Sequence, residues 1–437
     1  MPGDAIITDE ELAAATVELD AIRLPSKFAL SQALMPWSSF MEMKSMWRAF
    51  SDGVEALIDR YDGQTASLAA ALGLPAAHVP VWDALPRHHW SLIGRPDVII
   101  RDGRPRIVDV NTTPMAGLFA LNDMILHAHR APSIRKYFAA PDTVSCFLMD
   151  RYANLLRRFV APDDGLIAIS FFADEYADDP LFERWHYESE VRELERLGLS
   201  ARIIHVEDLE VGPRGMFASG RRVSLVHRFF SPRPDEPAEM AEVARIAAAA
   251  RSGAVTILTG LWADLISTKA TLAALSDESF TAGLSPSLAG RLKAAIPWTR
   301  LLTERHTTWQ DDRIDLLPWC ARNRAVLVLK PALGHSGDRV MIGRETAEST
   351  WTEALRAACE GDEPWVVQEL VEPDPEDVLV RDDDGALRRL RLPVVYGVFI
   401  MGGSLVGAMR RHGIAGFDRL MINGRVNAIP APVYWTT

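Results

Sequence analysis

A single lysine ends an apolar run in the stretch VLVLKPALGHSGDRVMIG, which covers residues 326–343. Lys330 is followed by a proline and a loop with glycines at 334 and 337, and a second apolar run then begins. Glycines let backbone N–H groups approach a polyphosphate closely, and a lysine offsets its charge. The order differs from a P-loop, in which glycines precede the lysine and the loop opens a helix. The stretch therefore predicts either a phosphate-binding loop or a surface hairpin whose lysine reaches solvent.

Acidic and amide side chains alternate along a second stretch, RPDVIIRDGRPRIVDVN. Two β-branched runs flank an Asp-Gly pair, which is a signal for a β-hairpin. Strand alternation places Asp109 and Asn111 on one face. A hairpin loop with an odd number of residues centred on Gly103 pairs Asp97 with Asp109. Two facing carboxylates repel each other unless a cation or a proton intervenes, and such oxygen ligands suit Mg²⁺. The alternative is a polar strand face in solvent.

The composition limits the class of protein. The chain has 437 residues, of which 48% are hydrophobic and 24% charged, as in ordinary globular proteins. A formal net charge of −12 argues against a general nucleic-acid-binding protein, because phosphates require a basic surface. No apolar run is long enough to span a bilayer, and the first residues lack the features of a signal peptide. Three scattered cysteines fit neither a disulfide framework nor a zinc site, so we expect a cytoplasmic protein.

The order of predicted elements divides the chain into regions. Residues 1–90 have helical periodicity, and residues 91–160 hold the hairpin followed by helices. Residues 161–260 alternate strands with helices, beginning with LIAISFF, a charged helix and ARIIHV. This alternation favours a βαβ lobe with a parallel sheet. Residues 261–320 are again predicted to be helical, and strands dominate from residue 321 onward. The expected fold class is α/β with α+β elements.

Together, these motifs resemble the ATP-grasp ligases, specifically the circularly permuted group that includes glutathionylspermidine synthase. In that group the metal-binding hairpin precedes the nucleotide-binding lysines, and the same order is found here. The resemblance implies a circularly permuted ATP-grasp fold with a helical N-terminal region at 1–90. Residues 91–160 then belong to the ATP-grasp core, residues 161–260 form a substrate lobe, and residues 261–437 form the nucleotide-binding lobes.

The resemblance also implies a metal site. The Arg-x-Asp and acid-x-Asn patterns of the family match Arg95-Pro-Asp97 and Asp109-Val-Asn111. Asp109 stands where the family usually has glutamate. The match implies that Asp97, Asp109 and Asn111 bind Mg²⁺ and that Arg95 is catalytic.

Further motifs match the nucleotide-binding parts of the family. Lys269, in DLISTKATLAAL, and Lys330 match lysines that contact the nucleotide. The glycine loop matches the loop that covers the phosphates, and WVVQELVEP matches the strand and hinge beside the adenine. The nucleotide-binding residues implied by these matches are Lys269, Lys330, Gly334, Ser336, Gly337, Gln368, Glu369 and Leu370.

Two further arginines are candidates for the site. GSLVGAMRRHG matches the late strand whose arginine faces the reacting phosphate in the family. The match assigns that catalytic role to Arg410, with the adjacent Arg411 as its rival. Arg228 lies at the predicted end of a strand in the middle lobe, where a bidentate contact with a substrate carboxylate is one interpretation.

The activity that the resemblance implies is ATP-dependent ligation of a carboxylate to an amine. ATP phosphorylates the carboxylate, and the amine then displaces phosphate from the acyl phosphate. Such chemistry needs positioning and charge neutralisation more than a protein nucleophile. The expected cofactors are ATP and Mg²⁺, and the expected partners are small molecules rather than nucleic acid or membrane. Two alternatives remain, a phosphotransferase with one organic substrate and a non-catalytic nucleotide-binding protein.

Overall fold

The computed structural model describes residues 33–112, 118–130, 143–160, 165–178, 181–334, 337–381, 387–413 and 428–436. Residues 1–32, predicted to be helical, and Ser336, predicted to bind nucleotide, lie outside these described residues. No described helix has the length and apolar character needed to cross a membrane.

The helices of the described residues are numbered here in chain order. They are α1 Trp37–Arg60, α2 Thr65–Ala71, α3 Val79–Trp82, α4 Phe119–His129, α5 Leu148–Leu156, α6 Ala173–Asp178, α7 Leu181–Arg196, α8 Pro237–Arg251, α9 Trp262–Ile266, α10 Lys269–Ser276, α11 Glu278–Thr281, α12 Pro286–Ala295, α13 Leu316–Arg322 and α14 Glu348–Glu360.

A seven-stranded central sheet joins the two ends of the described chain. Its strands, in spatial order, are β1 Ala33–Pro36, β21 Ala428–Thr436, β20 Ser404–Gly413, β19 Val394–Met401, β2 Ile93–Arg101 and β3 Arg104–Asn111, with β4 Thr143–Val144 also paired to β21. The early hairpin β2–β3 therefore pairs with the late strand β19, in antiparallel orientation.

A second sheet, the middle sheet, has six strands. They are β6 Ala201–His205, β5 Leu166–Phe171, β9 Arg221–Arg228, β8 Gly215–Ala218, β7 Glu210–Gly212 and β10 Thr256–Leu258, the last paired to β9. Strand β5 is parallel to β6 and to β9, and α7 connects β5 to β6. The predicted βαβ unit is confirmed.

A smaller sheet of four strands carries the predicted nucleotide-binding motifs. Its strands, in order, are β11 Thr299–Leu301, β16 Trp365–Glu369, β14 Leu327–Pro331 and β15 Met341–Ile342. Two separate hairpins complete the described strands. They are β12 His306–Trp309 with β13 Asp312–Asp315, and β17 Glu376–Arg381 with β18 Leu387–Leu392.

The prediction of helices throughout residues 261–320 is wrong for residues 299–315, where β11, β12 and β13 lie, and helix resumes at α13. Gln310 and Asp311 have φ angles of 50° and 74°, the left-handed values of a two-residue hairpin turn. The threonines and the tryptophan of HTTW favour the strand that precedes this turn. The mixed α/β class is confirmed.

Apolar side chains cover both faces of the central sheet. Helix α1 buries a face at helical spacing formed by Met43, Met46, Trp47, Phe50, Val54 and Leu57. This face belongs to a first core that contains Val98, Tyr396 and Ala408 of the sheet. The opposite face contributes Phe399 and Met409 to a second core, which the helices α4, α5 and α7 share with the middle sheet.

Candidate active site

The hairpin β2–β3 ends in a tight turn. Arg101 pairs with Arg104, so the loop contains only Asp102 and Gly103. Their φ angles are 51° and 72°, which is the left-handed backbone that Asp-Gly favours in a two-residue turn. The predicted loop with an odd number of residues is therefore wrong.

A β-bulge nevertheless brings the two carboxylates opposite each other. The register shifts between Asp97 and Val98, so that Asp97 pairs with Asp109 and Val108 is the extra residue on β3. The bulge also makes the carbonyl of Val108 available, and the Nζ of Lys330 donates to it at 3.1 Å. The predicted pairing is thus present, and a bulge rather than the loop length produces it.

Cations offset the charge of the first carboxylate. Nη2 of Arg411 lies 2.6 Å from Oδ1 of Asp97, and Nε of Arg95 lies 3.6 Å from the same oxygen. Burial alone raises the pKa of Asp97, but Arg411, Arg95 and Lys330 outweigh it and hold the pKa below its usual value. Asp97 is therefore an ionised ligand candidate. Asn111 completes the predicted set, since it lies opposite Arg95 in the register.

Lys269 approaches the second carboxylate from another part of the chain. It is the first residue of α10 and is 8% exposed. Its Nζ lies 3.7 Å from Oδ1 of Asp109 and donates to the carbonyl of Gly334 at 2.5 Å. Gly337, on the other side of the same loop, has a φ of 74°, which favours glycine. Gly334 and both predicted lysines therefore lie beside the hairpin.

Neutral hydrogen-bond acceptors hold Lys330 at its buried strand. In addition to Val108, its Nζ donates to Oε1 of Gln368 at 2.7 Å, and Nε2 of Gln368 donates to Thr299 at 3.0 Å. Burial lowers the pKa of Lys330 to about 8, with Asp109 raising it and Lys269 lowering it. Neutral acceptors thus hold the lysine, and the site lacks the full negative charge that a buried ammonium group favours.

Glu369 and Leu370, the other predicted nucleotide-binding residues of this segment, directly follow Gln368, and β16 ends at Glu369. The backbone N–H of Glu369 donates to Trp298 at 2.7 Å, and its carboxylate accepts from the N–H of Trp298 at 3.2 Å. The N–H of Leu370 donates to Val326 at 2.8 Å. Glu369 and Leu370 therefore lie at the end of the strand that carries the partner of Lys330.

Strand alternation separates the two late arginines. Arg411 shares the face of β20 with Met409 and contacts Asp97. Arg410 lies on the opposite face, where it forms an ion pair with Glu376. The structure thus places Arg411, and not Arg410, beside the paired carboxylates. The assignment of Arg410 to the reacting phosphate is corrected accordingly, because adjacent strand residues point to opposite faces.

Arg228 does not reach the site. Its side chain is 0% exposed, and its three nitrogens donate to the carbonyls of Thr259, Phe230 and Gly260 and to both carboxylate oxygens of Asp264. These contacts use the donors of the guanidinium group. The interpretation of Arg228 as a substrate-binding residue is therefore wrong.

We expect Asp264→Ala to lower the free energy of unfolding by about 3–5 kcal/mol, because it leaves the buried guanidinium group of Arg228 without its counterion. Glu360→Ala removes a surface ion pair with Arg356, in which both side chains are 62% exposed, and should change stability by less than about 1 kcal/mol. Urea unfolding followed by circular dichroism measures both. Equal effects in the two variants contradict the structural role of Arg228.

One positioning residue was not identified from the sequence. Oγ of Ser267 donates to the carbonyl of Val110 at 2.8 Å and accepts from the N–H of Thr112 at 3.1 Å. Thr112 in turn donates to the carbonyl of Ala263 at 2.9 Å. These contacts attach the end of β3 to the segment before Lys269. A serine two residues before a lysine carries no recognisable signal for this role.

Among the described residues, no three His, Cys, Asp or Glu side chains form a metal-binding group. The predicted set has a different composition, with two carboxylates and one amide. Magnesium commonly takes one or two protein carboxylates and fills its other positions with water and phosphate oxygens. The facing pair Asp97 and Asp109 fits that requirement.

Comparisons with known proteins found no matching family model and no matching curated protein. Solved structures do match. A glutathione synthetase-like effector from Globodera pallida covers 98% of this chain and 96% of its own, with 13% identity and a TM-score of 0.60. A putative gamma-glutamylcysteine synthetase from Methylobacillus flagellatus covers 90% and 87%, with 10% identity and a TM-score of 0.44. The first likeness shows that this chain shares the fold of that glutathione synthetase-like protein.

Proposed function

We propose that this chain is an ATP-dependent ligase that joins a small-molecule carboxylate to an amine through an acyl phosphate, with release of ADP and phosphate. The convergence of distant cations on a pair of facing carboxylates carries the proposal. Lys269 lies 3.7 Å from Asp109, and Arg411 lies 2.6 Å from Asp97. Carboxylates and cations in one place provide ligands for a metal and for the phosphates that the metal neutralises.

The fold that we propose is a circularly permuted ATP-grasp fold related to glutathionylspermidine synthase. The early hairpin β2–β3 pairs with β19, beside the last strands of the chain, while both lysines come from the segment between them. That arrangement supports the order of parts in the permuted group. The domain limits remain as predicted, at 1–90, 91–160, 161–260 and 261–437.

We propose that the phosphates of ATP bind between the small four-stranded sheet and the hairpin β2–β3. Lys269 and Lys330 offset their charge, and the loop from Gly334 to Gly337 covers them. Both ammonium groups contact neutral acceptors, which polyphosphate oxygens would replace. Lys269 donates to the carbonyl of Gly334. Lys330 donates to Gln368 and to the carbonyl of Val108. A charged acceptor forms a stronger hydrogen bond with an ammonium group than a neutral one does.

Asp97, Asp109 and Asn111 would hold Mg²⁺. When bound, the ion neutralises charge on the transferred phosphoryl group. Among the described residues, Arg95 and Arg411 are the cations that form ion pairs with Asp97. Nε of Arg411 has no hydrogen-bond partner within the described part of the chain, although the residue is only 6% exposed. A buried unpaired donor is costly, so we assign it to an oxygen of the reacting phosphate.

The reaction then follows from these positions. A carboxylate oxygen of the acid attacks the γ-phosphorus of ATP, and ADP leaves. The amine attacks the carbonyl carbon of the acyl phosphate, and phosphate leaves with the electron pair of the broken C–O bond. Arg95 and Arg411 stabilise the negative charge on the transferred group in both steps. We place this chemistry on small molecules in the cytoplasm, where the free thiols of Cys146, Cys320 and Cys359 are stable.

A screen with hydroxylamine tests the proposal. The protein is incubated with MgATP, hydroxylamine and each of a panel of amino acids and small carboxylic acids, and both ADP and hydroxamate are measured. Amines are then tested with the acids that respond, and the amide is detected by mass spectrometry. A ligase forms hydroxamate and amide. A phosphotransferase forms ADP and a stable phosphorylated product without hydroxamate, and a non-catalytic protein forms neither.

Lys330→Met is expected to weaken ATP binding by roughly 10- to 100-fold, since it removes a charge-assisted contact with a phosphate. Lys293→Met is the matched control, because Lys293 is 82% exposed and should leave the affinity unchanged. Isothermal titration calorimetry with MgATP measures both. Equal affinities in the two variants contradict the phosphate role of Lys330.

The same lysine predicts a pH dependence of binding. Burial lowers the pKa of Lys330 to about 8, and a bound polyanion raises it again. Above about pH 8 the protein therefore takes up a proton on binding, so the affinity for ATP is highest below pH 8 and falls as the pH rises further, by up to about tenfold per pH unit. Titrations at pH 7 and pH 9 should show this fall in the wild-type protein and not in Lys330→Met.

A further inference from the structure

Four buried titratable side chains lie in the second core, between the central sheet and the middle sheet. Helix α7 supplies His186 and Glu190, which are one turn apart, α5 supplies Tyr152, and β9 supplies His227. Each is at most 3% exposed. Burying four such groups among apolar residues is costly, and proteins accept that cost most often where the groups have a function.

Oε1 of Glu190 and Nε2 of His227 have no hydrogen-bond partner within the described ranges. The other contacts are local. Glu190 accepts from the backbone N–H of Phe119, and the hydroxyl of Tyr152 shares a hydrogen bond with Nδ1 of His227. Buried polar atoms in folded proteins nearly always have a partner, so unpaired ones indicate a missing water or ligand. The unpaired carboxylate oxygen accepts hydrogen bonds and therefore suits a donor group.

The position of this group links it to the candidate active site. Ile93, Arg95 and Asp97 share one face of β2, and Ile93 lies in the second core, to which α7 also contributes. Burial, and to a smaller extent the charge of Arg95, lowers the pKa of His186 to about 3. His227 is the next-to-last residue of the parallel strand β9. Ligands of α/β sheets bind beyond the carboxyl ends of parallel strands. The group thus lies where the middle lobe meets the predicted reaction centre.

Given the proposed ligase function, we infer that Glu190 binds the amino group of the amine substrate and takes up a proton from it. The cations around Asp97 attract the acid and the phosphates, and they repel an ammonium group. Glu190 is a buried carboxyl in the second core, and its Oε1 has no hydrogen-bond partner within the described ranges. The ammonium group of a bound amine favours the ionised form of Glu190, and opposite charges at the two sides then hold the nucleophile and the acyl phosphate in a fixed order.

The proton balance of this step is simple. The substrate ammonium group R–NH₃⁺ gives one proton to the carboxylate of Glu190 and becomes R–NH₂. Its lone pair forms the C–N bond, the C–O bond to phosphate breaks, and the departing phosphate takes the second proton. Burial raises the pKa of Glu190 to about 8, while the N–H of Phe119 lowers it. A carboxylate with that proton affinity is a better base for an ammonium group than an ordinary one.

Glu190→Gln tests the inference, because glutamine keeps an oxygen for the N–H of Phe119 and loses only the base. Hydroxylamine is largely uncharged at neutral pH and needs no base to become a nucleophile. We expect the kcat/KM for the amine to fall by at least about 100-fold, with hydroxamate formation changed by less than about twofold. Glu188→Gln is the matched control on the same helix, since Glu188 is 53% exposed and pairs with Arg192. That control should retain both reactions.

The outcomes distinguish failure of the role of Glu190 from failure of the proposed ligase function. An equal fall of amide and hydroxamate formation in Glu190→Gln shows a structural role and overturns the inference, as does an unchanged rate with the amine. If the wild-type protein forms neither hydroxamate nor amide, the proposed ligase function itself fails. Part of the Glu190→Gln protein could be unfolded, so the hydroxamate rate is divided by the amount of ATP that the preparation binds. This normalised rate equals the wild-type value when the folded fraction has an intact site.

Discussion

Asparagine in place of Asp97 or of Asp109 is expected to lower the rate of ADP formation by about 100- to 1,000-fold, with the shape of the site retained. Each substitution removes one negative charge from the facing pair and weakens its hold on Mg²⁺. The phosphates then lose the ion that neutralises them in the transition state, and one group of this kind contributes about that factor. The Mg²⁺ concentration that gives half of the maximal rate should rise in both variants.

Asp102→Asn is the matched control for this pair of variants. It makes the same chemical change at the tip of the same hairpin, where the Asp102 side chain is 82% exposed and its left-handed backbone suits asparagine equally well. Its rate and its Mg²⁺ requirement should equal those of the wild-type protein. If Asp109→Asn behaves like Asp102→Asn, the hairpin does not bind the catalytic metal, and the proposed mechanism is lost.

The facing carboxylates show how far the sequence alone leads. Alternation along β3 and the Asp-Gly turn predict a hairpin with acidic residues on one face. The residue opposite Asp97 depends on both the loop length and the bulge at Val108, and a sequence gives no clear signal for a bulge. The expected pairing arises because the two-residue loop and the bulge compensate. The pairing was thus predicted through an incorrect intermediate step.

Two arginines show what a sequence cannot specify. The contacts of Arg228 come from Asp264, 36 residues later, and from three carbonyls. Phe230 is close in sequence, but Thr259, Gly260 and Asp264 follow β10, and the pairing of β10 with β9 brings them to Arg228. For Arg411 the deciding fact is which face of β20 meets Asp97, and that depends on the register of β20 with β19 and of β19 with β2. Short motifs identify the strand, and tertiary pairing identifies the residue.

Arg411→Met is expected to lower kcat by about 100- to 1,000-fold and to leave the affinity for ATP nearly unchanged. Its guanidinium group lies 2.6 Å from Asp97, and its unpaired Nε is assigned to the reacting phosphate. A contact formed mainly in the transition state affects kcat rather than ground-state binding. Rapid measurement of ADP formation, together with calorimetric titration of MgATP, separates the two quantities.

Arg410→Met provides the comparison, because it makes the same substitution one residue earlier on the opposite face of β20. It leaves the carboxylate of Glu376 without its arginine, so we expect a loss of about 2–3 kcal/mol in the free energy of unfolding. The kcat of the folded variant should change by less than about tenfold, since the ion pair with Glu376 holds Arg410 away from Asp97. A larger loss of kcat in Arg410→Met than in Arg411→Met would restore the role that the sequence motif assigns to Arg410.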